Sequence, residues 1–304
     1  MEELTGYQHP AYAHSLSEFG TPRQLPASEG WILERVIPGS TDHDGMGCYP
    51  LFTCRDWRKL HIDITGLAKD LLTLVLVTDP FADVDAAYLE SCFDLVKPFK
   101  CHYIVDLSQP LANSVNKHHR YYARKSLREI EVEVCHEPSR YIGEWIRLYD
   151  NLVKKHDIRG IRAFSPECFH KQLNTPGMVL FVGKLRGEVV GAHLSATHGD
   201  VAYSHLAAFS NVGYQTNAAY GIYWIMLEYL ASQKVRYIDL GAAAGLEEKP
   251  SDGLSRFKQG WSNMTRMAYF CGQVFDPQKY AETCRRNLIG GTDYFPAYRV
   301  GEFD

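Results

Sequence analysis

No stretch of this chain approaches the roughly 18 consecutive apolar residues that span a bilayer, although hydrophobic residues make up 45% of it. That pattern predicts a soluble protein. The start, MEELTGYQHP, lacks a basic segment followed by an apolar one, so no secretory signal and a cytoplasmic location are expected. Paired cysteines are missing as well. Those at 48, 54, 92, 101, 135, 168, 271 and 284 stand singly, several inside apolar runs such as ESCFDLV and YFCGQV. With no CxxC pair and no CxxxH spacing, buried thiols are expected and no metal site. An excess of positive charge is absent too: 32 Lys and Arg against 36 Asp and Glu leave a net −4. This excludes a surface coated for general nucleic-acid binding and leaves room for one basic patch. There is also no GxxxxGK[ST] loop and no Ser-His-Asp arrangement around a nucleophile elbow.

What is present suffices for real cores: 304 residues, 22% of them charged, predict one large or two ordinary domains. In the first part GWILERVI and CYPLFTC read as strands around a turn-rich PGSTDHDGMG, and LLTLVLVTDP as a buried strand closed by Asp-Pro. DVDAAYLESCFDLVKPF fits a helix capped by Asp83 or Asp85, CHYIVDL a strand, NKHHRYYARKSLRE a strongly basic helix, and IEVEVCHE another strand. PSRYIGEWIRLYDNLVKKHDI places Ile142, Trp145, Ile146, Tyr149 and Val153 on one helical face, and SPECFHKQLNT has a Ser165 cap followed by Pro166. MVLFVGKL, VVGAHLSAT and VAYSHLAAFS, joined by glycine turns, predict an antiparallel meander. A loop, NVGYQTN, then leads to the helix AAYGIYWIMLEYLASQK and the strand VRYIDLG. The succession predicts an α/β (α+β) fold with mixed, mainly antiparallel sheets flanked by helices.

Three places offer chemistry. The helix opening at GYQTNAAYGIYW presents amide donors suited to a phosphate-bearing donor, with an ordinary cap by Thr216 or Asn217 as the alternative. The basic helix sets Lys117, Arg120 or Tyr121, Arg124 and Arg128 at three- or four-residue intervals, a cationic stripe that either holds phosphates or faces water. In DGLSRFKQGW the Lys258 ammonium suits an oxyanion formed when an amine attacks an ester or thioester, and Phe257 suits stacking on a base. A surface lysine beside a core phenylalanine is the plainer alternative. His193, His198 and His205 lie in strands, where half-buried packing competes with a role as general base.

The meander, helix and strand over residues 178–241 resemble the core of the GCN5-related N-acetyltransferase (GNAT) superfamily. With RYYARKSL before a strand, then VRYIDLGAAAG and GLSRFKQGW, the chain is similar to the Fem-type (FemABX) branch. Members of that branch build two GNAT-like halves and show a strand ending in D-[FL]-G, a loop, and an FK-G-[FW] element. The resemblance covers most of the chain, most firmly from Asn116 to Asp276. It implies a degenerate half at 1–135, a half with the main transfer site at 136–276, and a tail at 277–304 packed on the first. Fem-type enzymes pass an aminoacyl group from aminoacyl-tRNA to an amine. Such ester aminolysis needs oriented substrates, removal of the ammonium proton, and stabilisation of the tetrahedral oxyanion.

Carried over residue by residue, the resemblance gives Lys258 the oxyanion, Phe257 the terminal adenosine and Arg256 a nearby phosphate, with Tyr214 and Asn217 also on the donor. Lys117, Arg120 and Arg124 would take phosphate or the acceptor. Asp239, Tyr203, His205 and Tyr220 are the candidate proton acceptors, since the third meander strand and the DLG strand line the GNAT cleft; the terminal hydroxyl of the tRNA is another. Aminoacyl-tRNA is a co-substrate, and no cofactor or metal is implied.

Two departures narrow the expectation. The acetyl-CoA loop of the superfamily has the form [RQ]-x-x-G-x-[GA], but counting from Gln215 the fourth position is Ala218, a side chain where backbone would meet pyrophosphate. The chain is also short for a cell-wall enzyme and shows no long helical hairpin. An amine-bearing small molecule or carrier-bound peptide, as in natural-product assembly, is therefore the expected acceptor, and no membrane partner is expected. Two alternatives stay open: an N-acyltransferase using acyl-CoA or a carrier thioester, and a catalytically silent GNAT-like binding module. The oligomeric state is not legible.

Overall fold

The computed structural model describes residues 3–243, 253–286 and 291–302. It divides into two compact units. The first holds Tyr7–Phe99, Arg159–Phe164 and Met267–Asp304; the second holds Met1–Gly6, Lys100–Ile158 and Ser165–Arg266. The strands in chain order are β1 Thr21–Leu25, β2 Gly30–Val36, β3 His43–Gly47, β4 Leu71–Val77, β5 Leu95–Asp106, β6 Glu131–Cys135, β7 Met178–Leu185, β8 Glu188–His198, β9 Val201–Phe209, β10 Tyr237–Asp239 and β11 Met264–Val274.

In the first unit β1, β2 and β3 form an antiparallel meander, β4 joins β3 in parallel, and β11 pairs antiparallel with β4. The second unit repeats the scheme: β7, β8 and β9 form the meander, β10 joins β9 in parallel, β5 pairs antiparallel with β10, and β6 is added beside β7. A parallel step needs a crossover. The helix Leu60–Leu67 lies between β3 and β4, and the helix Ala218–Ser232 between β9 and β10. The repeated pairing shows two GNAT-like halves, each a mainly antiparallel sheet flanked by helices.

The core of the second unit explains its crossover. Ala218, Ile222, Met226, Leu227 and Leu230 are buried against Val105, Ala202 and Ile238 of the sheet and Ala123 of the basic helix Lys117–Ser126. Fully burying one such aliphatic side chain contributes about 1.5–3 kcal/mol. Gly221 lets the two helices meet, because a Cβ there would stand 2.9 Å from Ser126 Oγ. Two sequence-expected caps are present, Asp85 Oδ1 accepting from Tyr88 N at 2.9 Å and Ser165 Oγ from Cys168 N at 3.0 Å, and Asn116 Oδ1 adds a third by accepting from His119 N at 2.8 Å.

Several expectations are corrected. The third strand is HDGMG, not CYPLFTC, which contributes only a bridge from Phe52 to Thr78. Gly45 belongs in that strand for a packing reason: a Cβ would stand 2.9 Å from both Leu71 Cδ1 and Leu74 Cδ1. Pro50, without an N–H, cannot serve a central ladder. The helix after β4 covers only Ala86–Cys92, and LVKPF already belongs to β5. NVGYQTN contains a helical turn, Asn211–Gln215, capped by Ser210. The division expected at residue 135 also moves. Lys100–Cys135 packs in the second unit, because β5 pairs with β10, β6 with β7, and the basic helix lies on Ala218–Ser232.

The tail lies in the first unit, where Arg299 Nε donates to Asp44 Oδ2 at 2.8 Å and Tyr298 Oη meets Thr73 Oγ1 at 2.7 Å. Of the cysteines, Cys101 and Cys284 are half-buried and the other six buried, all as free thiols. Among the described residues no helix is long and apolar enough to cross a membrane.

Candidate active site

The site is built where two strands part. β9 and β10 run side by side as far as the pair Tyr203 and Asp239, after which β9 continues to Phe209. The chain beyond Asp239 follows β5 instead: Leu240 N donates to Tyr103 O at 2.9 Å, and Tyr103 N to Gly241 O at 3.2 Å. β9 is also bulged at the parting, since Ser204 faces Ser195 and Leu206 faces Leu194, leaving His205 as the extra residue. Lys258, on the helix Gly253–Trp261, reaches this place and donates from Nζ to Ala242 O at 2.7 Å. Gly241 permits the approach: its φ is +76°, and a Cβ would stand 3.0 Å from Nζ.

Near Lys258 is a buried pair, of which sequence reasoning named Asp239 and missed His102. The Asp239 oxygens lie 3.0 and 2.8 Å from His102 Nδ1, and Oδ1 also accepts from Gly241 N at 2.7 Å. The side chains are 2% exposed for Asp239 and 9% for His102. Their meeting follows from register. Asp239 stands opposite Ile104, which puts His102 on the same face at the diagonal position, while Ile238, Ala202 and Val105 face the crossover helix. In the sequence His102 is only a strand residue within CHYIVDL. Nothing local links it to an aspartate so far along the chain.

The other expected proton acceptors divide. Tyr203 is buried beside Asp239 on β9. His205 has its Nε2 3.3 Å from Gln172 Oε1 of the helix Pro166–Leu173, and burial pushes its pKa down to about 3. So weak a base is poorly matched to an ammonium proton. Burial, followed by the charge of His205, pushes His193 to about 3 as well. Tyr220 has its phenol pushed up by burial and then by Tyr122, so it is a neutral hydroxyl near pH 7.

The two buried histidines set an acid limb. Between their unfolded pKa near 6.5 and about 3, the unfolded chain binds protons that the folded chain does not, so stability is full above the window and falls as pH drops through it. A His205→Gln variant should therefore lose stability more slowly than the parent on acidification. Urea midpoints from pH 6 to pH 4 should show the gap shrinking by roughly 1 kcal/mol per pH unit; a constant gap would place His205 in a wetter setting.

Phe257 does not stand apart for stacking. Its ring packs against Tyr223, Tyr220, His119 and Trp261 at 5.0, 5.1, 5.5 and 6.0 Å. This cluster fastens the lysine helix to the basic helix: His119 Nε2 donates to Phe257 O at 2.9 Å and Asn116 N to Gly260 O at 3.0 Å. A Cβ on Gly260 would stand 2.0 Å from the His119 ring, which accounts for the glycine of FKQGW. Arg256 is exposed on the lysine helix. Lys117 and Arg124 are exposed along the basic helix, Tyr121 is 62% exposed beside them and Arg120 is half-buried; the helix ends at Ser126, so Arg128, also exposed, lies in the turn after it rather than on the expected helical stripe. None of these four cations forms an ion pair among the described residues.

On the donor side, Tyr214 carries Lys155 Nζ over its ring at 3.9 Å. Asn217 takes a left-handed φ of 57° at the turn into the crossover helix and caps it with no side-chain bond, while Thr216 Oγ1 donates back to Val212 O at 3.0 Å. The Ala218 side chain is fully buried in the core. It therefore does not stand in a pyrophosphate's place, and that part of the case against acetyl-CoA falls. Among the described residues no group of three or more His, Cys, Asp or Glu is placed to hold a metal.

Residues 113–259 match the Acetyltransferase (GNAT) domain family. No curated protein matches the chain significantly. Among solved structures, FemX is similar with a TM-score of 0.66 at 13% identity, covering 90% of this chain and 95% of that one. The C-terminal domain of an Agrobacterium fabrum protein assigned as a lysylphosphatidylglycerol synthetase gives 0.64 at 15%, covering 93% of each. L-PGS from Bacillus licheniformis gives 0.55 at 14%, covering 95% of this chain and 99% of that one. At such identities the likeness is one of fold. The match over residues 113–259 takes in the parted strands and Lys258, and the chain as a whole is GNAT-like in fold.

Proposed function

We propose that the protein is an aminoacyltransferase that moves an aminoacyl group from aminoacyl-tRNA to the amine of a small-molecule or carrier-bound acceptor, forming an amide bond. One observation carries this proposal: the helix bearing Lys258 is hydrogen-bonded, through Phe257 and Gly260, to the basic helix and its cap, whose Lys117, Arg120 and Arg124, with Arg128 just beyond the helix end, form no ion pair among the described residues. A cation beside the parted strands and a phosphate-sized cationic stripe belong to one rigid assembly. That suits a donor that is a polyanion with a reactive ester at its end. The likeness in fold to FemX and the order of motifs around VRYIDLG and GLSRFKQGW support the same donor. An acetyl-CoA donor remains the rival, and Ala218 no longer argues against it.

The experiment is label transfer. The purified protein is mixed with a pool of labelled charged tRNAs, and separately with labelled acetyl-CoA, in the presence of a small-molecule extract. Ribonuclease-sensitive transfer from tRNA alone is expected; transfer from acetyl-CoA alone sinks the proposal. A second check reads the basic helix. Changing Lys117, Arg124 and Arg128 together to Gln should weaken binding of charged tRNA and flatten its dependence on log salt by about 2–3, since each phosphate contact contributes roughly 0.7–0.9 to that slope. An unchanged slope would mean that the stripe only faces water.

A further inference from the structure

We infer that His102 is the general base of the transfer and Asp239 its positioning residue; this rests on the acyl-transfer function proposed above. Both carboxylate oxygens are within reach of Nδ1, and Oδ1 is additionally held by Gly241 N. A carboxylate only accepts hydrogen bonds. Nδ1 therefore carries the proton, and Nε2 is left with its lone pair. Among the described residues no hydrogen-bond partner meets Nε2, and His102 is not one of the side chains with a fully buried unpartnered nitrogen. The role of Asp239 is to fix the tautomer and steady the imidazolium once formed.

The position suits the task. Asp239, which holds His102, also accepts from the N–H of Gly241, the residue against which the Lys258 ammonium rests. A carbonyl held at Lys258 and an amine held at His102 are therefore brought to the same glycine. The acceptor enters as a free amine, its first proton already lost to water. As its nitrogen bonds to the ester carbon, the carbonyl π pair moves to oxygen and faces Lys258, and His102 Nε2 takes one proton from that nitrogen. The intermediate then collapses, the carbon–oxygen ester bond breaks, and the imidazolium returns the proton to the departing ribose oxygen. One carbon–nitrogen bond forms, one carbon–oxygen bond breaks, and the histidine ends neutral.

The test uses the full chain and two independent readouts. His102→Gln, which can still donate to Asp239, should fold with a melting temperature near the parent's, keep charged-tRNA binding, and lose transfer by roughly 10²-fold or more. His102→Ala should regain part of the rate when imidazole is added, which a purely structural histidine would not show. Parent-like transfer by His102→Gln overturns the inference, whichever donor proves active. Nitrogen-15 histidine spectra give the second readout, which needs no substrate. In its neutral form His102 should carry its proton on Nδ1, and Asp239→Asn should shift it toward the other tautomer. If the parent transfers from neither donor, the proposed function fails by itself, and a spectrum showing His102 protonated at Nε2 would overturn the base assignment separately.

Discussion

Replacing Lys258 by alanine is expected to lower transfer about 10²–10³-fold while binding of the donor stays within a few-fold of the parent. In the structure Nζ donates to the neutral carbonyl of Ala242 at 2.7 Å. An oxyanion is the better acceptor, because hydrogen bonds between charged partners are roughly twice as strong as neutral ones. The ammonium is therefore held near the parted strands in the ground state, and its bond to a developing oxyanion is made only in the transition state. An interaction of that kind raises kcat and leaves ground-state binding alone. Lys258→Arg should not restore the rate, since a planar guanidinium cannot fill the place of a compact ammonium against Gly241, where a Cβ position lies only 3.0 Å from Nζ. Single-turnover label transfer under saturating donor measures this directly. A Lys258→Ala protein with the parent rate would remove the oxyanion role, and a parent that binds charged tRNA but never transfers would be the silent binding module.

Much of the second unit was legible because its signals are local. Three apolar strands joined by glycine turns gave β7, β8 and β9, and the side chain of Ser165 caps the helix that follows it. The first unit was harder for an equally local reason. HDGMG has the composition of a turn, yet its glycines are there because leucines from β4 crowd them, and that crowding appears only once the strands pair. The site shows the same limit. Lys258 could be found from a contiguous motif, whereas Phe257, its neighbour in that motif, turned out to pack against Tyr220 and Tyr223. His205 was singled out for lying on the strand that lines the cleft, but the bulge there turns it toward Gln172 and burial makes it a poor base. His102 and Asp239 are brought together only by the register of β5 on β10, information that neither segment carries alone.

Removing the carboxylate of Asp44 is the largest stability loss expected in the first unit. Asp44 is fully buried on β3 and accepts from Arg35 Nε at 3.1 Å and from Arg299 Nε and Nη2 at 2.8 and 3.0 Å. Arg299 also donates to Val36 O at 2.8 Å, and Glu302 Oε1 meets Arg35 Nη1 at 2.9 Å, so the residues that fix the tail converge on one acid. The two guanidinium groups are each 8% exposed. With Asp44→Ala they remain out of water, their one remaining ion-pair partner among the described residues being the partly exposed Glu302 carboxylate, and breaking such a buried pair costs about 3–5 kcal/mol. For a unit of this size that lowers Tm by on the order of 10 °C. Arg299→Met should cost less, because Asp44 keeps Arg35 and an apolar stem fills part of the space. Thermal unfolding of the two variants at pH 7 decides the point: the order Asp44→Ala below Arg299→Met below parent is expected, and equal or negligible losses would show that the acid does not hold the tail in place.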